Sequence, residues 1–240
     1  VLTYTCILVI TKEPNNYYTL THSVTGKLQK VSFSQKRTAS SEQPPFKARI
    51  GIMTLADDVF IIKRWYERNG LIHFKKDDKV FAVERGSCKD ILKVSKKQRH
   101  KIIYPYVVHN TTVLPDLAFA RKFPKCYQYL LYCKPRLDER DRGKTSSYPV
   151  WYSYGRTQAL LPIRGKRLFL SSIVKDIPSG ICIDDIPLHY SGLYIEPMKG
   201  ETVTSAARIL QRCEKQILAQ SNHRDGGWYA LSSQSFYNVR

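Results

Sequence analysis

VFIIKRWYERNGLIHFKKDDKVFAVE, residues 59–84, carries the clearest structural signal in the chain. Three short runs rich in Val, Ile, Phe and Tyr (59–66, 71–74 and 79–84) are separated by Arg68-Asn69-Gly70 and Lys76-Asp77-Asp78. Asn-Gly and Asp-Asp tolerate the positive φ that two-residue hairpin turns require, so the stretch predicts an antiparallel meander. Further strands are expected at 150–154, 167–170 and 188–195. A first helix is expected at 124–133, with Pro124 in its first turn and Pro135 ending or kinking it. The longest helix is expected at 201–220, where Val203, Ala206, Ala207, Leu210, Cys213, Ile217 and Leu218 form one apolar stripe and Arg208, Arg212 and Lys215 lie elsewhere. The expected class is α+β, strand-rich with a few helices.

Upstream, residues 1–12 read as a buried strand, and 15–33 as a hairpin with Gly26 at its turn. Residues 34–45 (SQKRTASSEQPP) lose apolar content and read as a linker. The expected division is therefore 1–45 and 46–240. Because the chain opens on Val1 inside an apolar run, without an initiator Met or signal-peptide layout, it reads as part of a longer protein.

With 39 Lys+Arg against 20 Asp+Glu, the 240-residue chain has a formal charge of +19, and 42% of its residues are hydrophobic. That apolar content excludes a disordered basic tail. The charge favours a polyanionic partner, since each phosphate neutralised releases a condensed counterion. A membrane partner is not expected, because the longest apolar runs, 6–10 and 102–108, fall far short of the roughly 20 residues that span a bilayer. Six scattered cysteines without a Cys-x-x-Cys pair read as reduced, mostly buried thiols in a cytoplasmic protein.

Catalytic signatures are missing from this stretch. There is no Gly-x-Ser-x-Gly elbow, no dinucleotide or phosphate-binding glycine loop, and none of the eight glutamates has Lys two positions on, as a metal-dependent nuclease commonly does. The pairs Asp57-Asp58 and Asp184-Asp185 read as solvated loop acids, and no metal site is expected.

The positive charge concentrates in residues 93–101 and 134–167. In the first, Lys96 and Lys97 are candidates to line a phosphate backbone. In the second, Arg140, Arg142 and Lys144 are candidate phosphate contacts. Trp151 and Tyr154 are candidate nucleic-acid contacts, on a strand expected to place Trp151 and Ser153 on one face and Tyr152 and Tyr154 on the other. Arg156, Thr157 and Gln158 follow a glycine turn and are candidate readers of base edges or phosphates.

Several ordered blocks resemble a known family. Ile50-Gly51-Ile52-Met53-Thr54-Leu55-Ala56-Asp57-Asp58-Val59-Phe60-Ile61-Ile62 resembles the opening of the C-terminal target-recognition domain of adenine-specific DNA methyltransferases of Type II restriction-modification systems. Ile103-Tyr104-Pro105-Tyr106, residues 123–131, Arg140-Asp141-Arg142-Gly143-Lys144, Trp151-Tyr152-Ser153-Tyr154-Gly155-Arg156-Thr157-Gln158 and Ser191-Gly192-Leu193-Tyr194-Ile195 follow in the family's order. The first 12 residues resemble the last strand of that family's α/β catalytic domain.

The resemblance implies that 46–240 is a target-recognition domain binding duplex DNA, preceded by a terminal strand and hairpin of the methyltransferase domain. The catalytic motifs and the S-adenosylmethionine site would lie upstream, so no cofactor is expected in this stretch and no activity from it alone. Gln43-Pro44-Pro45-Phe46 looks like the family's Asn-Pro-Pro-aromatic signature, but Gln is one methylene too long and the residues before it are too few for a methyl-donor domain. Two alternatives stand beside this reading: a self-contained protein binding RNA or single strands, and the recognition part of a fused restriction endonuclease-methyltransferase.

Overall fold

The computed structural model describes the backbone of Tyr17–Thr21 and Leu28–Ser32, and residues 46–107, 112–143, 148–156, 159–160, 165–198, 200–236 and 239. The chain divides into two compact units, Val1–Gln43 and Pro44–Arg240. In the first, β1 (Tyr17–Thr21) pairs antiparallel with β2 (Leu28–Ser32), with Tyr17 opposite Ser32. The two strands form the hairpin expected at 15–33, while its turn at Gly26, the 1–12 strand and the 34–45 linker lie outside the described residues.

The second unit begins with β3 (Phe46–Ile50), followed by a helical turn, α1 (Asp57–Phe60), and β4 (Ile61–Ile62). Residues 59–66 are thus not one strand. The Thr54 hydroxyl donates to the Asp57 carboxylate at 2.6 Å and accepts from the Ala56 N–H at 3.0 Å, which preforms the helical turn and overrides the β propensity of Val59 and Phe60. The meander follows as expected: β5 (Tyr66–Arg68), β6 (Leu71–Lys76) and β7 (Lys79–Glu84) pair in sequence order. Asn69 and Gly70 have φ of 51° and 71°, and Asp77 and Asp78 have 47° and 62°. Two consecutive left-handed residues give a turn whose twist matches that of the flanking strands.

Next come β8 (Cys88–Lys93) and β9 (Gln98–Ile103), antiparallel to each other, with β4 against β9. Three helices follow: α2 (Asp116–Lys122), α3 (Pro124–Tyr132) and α4 (Lys134–Asp138). Pro124 and Pro135 both sit in the first turn of a helix, where the missing N–H breaks no hydrogen bond. Pro135 therefore marks the start of α4. Glu84 of β7 accepts from the N–H groups of Lys125 and Cys126 at 2.8 and 3.0 Å, so α3 is capped by a carboxylate from another element.

The remaining elements are β10 (Arg167–Ser171), β11 (Ile173–Val174), α5 (Ile177–Gly180), β12 (Ile181–Asp184), β13 (Leu188–Tyr190), β14 (Gly192–Pro197), α6 (Val203–Arg212), α7 (Glu214–Ala219), β15 (Asn222–Arg224) and β16 (Trp228–Ala230). One sheet runs β12-β10-β14-β3 and another β13-β8-β9-β4, with β13 parallel to β8. A small sheet runs β11-β16-β15.

Residues 188–195 are two strands of different sheets. Ser191, at φ 54°, turns the chain from one to the other. The helix expected at 201–220 is broken at Cys213 into α6 and α7, although its stripe survives: Ala206, Leu210, Cys213 and Ile217 are buried, while Arg208, Arg212 and Lys215 are exposed. Thr202 caps α6 by accepting from the Ser205 N–H at 3.0 Å.

Apolar side chains gather in two main clusters. The first joins Val59, Phe60, Ile72, Ile91, Ile102, Phe119 and Leu130 with a set of tyrosines, and the second joins Phe46, Leu168, Leu193, Leu210, Ile217 and Phe236. Leu92, Val94, Phe169 and Ile186 form a third, smaller group. Beside it lies His189, buried and with its ring centroid 4.9 Å from that of Phe169. Burial pushes this imidazole down to about 4, and Nε2 has no hydrogen-bond partner among the described residues.

Candidate nucleic-acid interface

Residues 150–154, expected as a strand, lie within an irregular turn at 148–156. The two-face alternation is absent: Tyr152, Ser153, Tyr154 and Gly155 are all buried, and Trp151 is half-buried. Arg140 holds the turn in place. Its Nε donates to the Leu137 carbonyl at 2.9 Å, Nη1 to the Ser153 carbonyl at 2.6 Å, and Nη2 to the Trp151 carbonyl at 2.7 Å. The guanidinium also lies over the Tyr148 ring, 4.7 Å from its centroid. At 3% exposure, with Nε and both Nη atoms donating to backbone carbonyls, Arg140 is engaged inside the fold, and burial pulls its pKa below the ordinary arginine value.

Tyrosine hydroxyls do comparable work around it. Tyr154 donates to the Ile103 carbonyl at 2.5 Å, Tyr152 to Leu114 at 2.7 Å, Tyr104 to Leu160 at 2.7 Å and Tyr129 to Val59 at 2.8 Å. Each buries a ring in the first core and satisfies its polar tip on a backbone carbonyl. Burial raises all of these phenols, Tyr104 to about 12. Tyr154, 1% exposed, presents no face on which a base could stack. Trp151 donates from Nε1 to Asp116 at 3.1 Å and packs edge-on against Tyr152. Tyr154 is therefore a core ring, whereas Trp151 is half-buried and packs against the edge of that core.

The basic side fares differently. The N–H groups of Gly155 and Arg156 donate to the carbonyls of Thr54 and Met53, both at 3.1 Å. Two sequence blocks about a hundred residues apart, 50–62 and 151–158, are thereby joined. A Cβ at Gly155 would lie 2.3 Å from two carbons of Leu55, so only glycine fits this approach. Beyond it, the Arg156 side chain is half exposed and lies 3.7 Å from Asp141, which also accepts from the Tyr148 hydroxyl at 2.5 Å. Arg142 is exposed next to Asp141. Lys144, Thr157 and Gln158 lie outside the described residues.

Lys96 and Lys97 are exposed at the turn between β8 and β9, where Lys97 has φ 52°. Below that turn is a groove of about 440 Å³ lined by Lys63, Arg64, Lys93, Gln98, Arg99 and His100. Lys63 and Arg64 escape a reading of the sequence because 59–66 looks like one apolar strand. The available signal was a Lys-Arg pair set between Ile62 and the exposed aromatics Trp65 and Tyr66.

In class, this is a strand-rich α+β protein with a formal net charge of +19. Among the described residues, no group of three or more His, Cys, Asp or Glu side chains could hold a metal ion, and no helix is long and apolar enough to cross a membrane.

The chain is 23% identical over 148 residues to the Type II restriction enzyme and methyltransferase RM.Eco57I of Escherichia coli. The match covers 55% of this chain and only 15% of that relative's length. No family model matches the sequence.

Proposed function

We propose that this chain is the DNA-recognition region of an S-adenosylmethionine-dependent, adenine-specific DNA methyltransferase of a cytoplasmic restriction-modification system. It grips duplex DNA, while the methyl donor binds and the chemistry takes place in a domain upstream. The observation that carries the reading is the similarity to a restriction enzyme and methyltransferase, in a chain with a net charge of +19 and no catalytic motif of its own. The exposed Arg156 and Arg142 at one turn, and Lys96 and Lys97 at another, supply donors for phosphates and base edges. A fused nuclease in the intact protein is the second reading, favoured by the double name of the relative. Burial of Tyr154 and the engaged indole of Trp151 count against the rival in which single strands stack on these rings.

Competition at fixed salt tests this. Labelled duplex DNA bound to the chain should be displaced by unlabelled duplex and not by equal amounts of single-stranded RNA. Calorimetric titration with S-adenosylmethionine should give no heat of binding; a measurable affinity would place methyl-donor binding in this chain and sink the proposal.

A further inference from the structure

Exposed cations are common on this surface, but many are already neutralised. Lys76 and Arg136 both reach Asp58, Arg85 reaches Glu67, Arg49 reaches Glu196, and Lys134 reaches Asp138. The groove beneath the β8–β9 turn is different. Among the described residues, Lys63, Arg64 and Lys93 have no carboxylate partner, and none of the six lining residues is acidic. Arg99 stands at its edge, held at 3.1 Å by both Asp184 and Asp185. His100 is fixed at its base by a 2.7 Å hydrogen bond between Nδ1 and the Tyr190 hydroxyl. The lining comes from two places in the chain, 63–64 after β4 and 93–100 along β8 and β9, so the concave shape exists only in the folded protein.

We propose that this groove is a phosphate clamp for a nucleic-acid backbone, with Lys63, Arg64 and Lys93 as its cations and Gln98 as a neutral donor. It rests on the DNA-binding reading above and adds to it a binding site away from the 148–156 turn. Like charges converging in a concavity repel one another, and a phosphate relieves that repulsion while releasing counterions. Burial, and after it the nearby Lys93 and Lys63 ammonium groups, hold His100 below its ordinary pKa, so both lysines act on the same wall of the groove. Trp65, next to Arg64 in the chain, is exposed, and its ring lies 4.7 Å from the Lys101 ammonium.

The test is the salt dependence of binding by the full chain to a labelled duplex, followed by fluorescence anisotropy, with thermal melts to check folding. Lys63→Gln with Arg64→Gln should weaken binding and lower the slope of log K against log salt by about two, one for each phosphate that is no longer neutralised. Lys63→Arg with Arg64→Lys should restore it. Arg208→Gln with Lys215→Gln, exposed cations on α6 and α7, should leave the slope unchanged. A groove variant with the wild-type slope, or equal losses in both double variants, overturns the clamp and leaves DNA binding standing. If the wild type binds single strands and no duplex, the functional reading fails and the clamp is judged by the same slopes on the single strand. If it binds neither, both fall.

Discussion

Arg140 donates from Nη1 to the carbonyl oxygen of Ser153 at 2.6 Å, across thirteen residues of chain, and this hydrogen bond determines how the whole 148–156 turn is held. Replacing Arg140 by Ala removes the donors to the Ser153 and Trp151 carbonyls, while the Leu137 carbonyl keeps the Glu139 N–H. The expected loss is on the order of 3 kcal/mol or more of folding stability, read from urea unfolding. Arg140→Lys should recover little of it, because an ammonium cannot span three carbonyls as the planar fork does. A variant of unchanged stability with a shallower salt slope would return Arg140 to the phosphate-binding residues.

Gly155 and Leu55 form a steric pair. Gly155→Ala puts a methyl group 2.3 Å from Leu55 carbons and should cost about 1–3 kcal/mol. Leu55→Ala should make the same change much cheaper. A double-mutant cycle with coupling near zero would refute the pairing.

Arg156 separates base reading from phosphate binding. If it reads a base, Arg156→Ala should relax specificity at one base pair at a cost of about 1–3 kcal/mol; if it meets a phosphate, all sequences should weaken together and the salt slope should fall by about one. Unchanged binding would make it structural. Asp141→Asn, which removes the carboxylate 3.7 Å from Arg156, should strengthen binding in the same assay by freeing that guanidinium; unchanged binding would show that the pair does not restrain Arg156.

Stability should rise with pH between about 4 and 6.5 because of His189. Its folded pKa is depressed to about 4 from 6.5, so within that window the unfolded chain carries a proton that the native chain does not. The contribution is complete above the unfolded value, on the order of 3 kcal/mol, and is lost as pH falls toward the folded one. His100, also lowered, acts in the same direction. A His189→Leu variant should show a clearly smaller rise in unfolding midpoint over this range; an unchanged rise would assign the effect to other groups.

Much of the second unit was legible in local sequence. Asn69-Gly70 and Asp77-Asp78 announce their turns because positive φ is an energetic property of those residues themselves. The stripe of Ala206, Leu210, Cys213 and Ile217 announces a helical face because burial repeats with the helical period. Local signals did not reveal that Thr54 would turn Val59 and Phe60 into a helix, nor that Ser191 would split a strand between two sheets. Those outcomes depend on what the neighbouring chain bonds to or packs against.

The sequence by itself determined the strand-rich α+β class, the hairpins and the surplus of positive charge. Tertiary structure decided which charges remain available. Arg140 and Lys96 are equally cationic on paper, yet the fold buries one on three carbonyls and leaves the other in water. It likewise decided that Tyr154 is core and that Lys63 meets Lys93 across a groove. The physical reason is that turn and helix preferences are energies of a few adjacent residues, whereas desolvation and charge pairing are energies of groups brought together from distant parts of the chain.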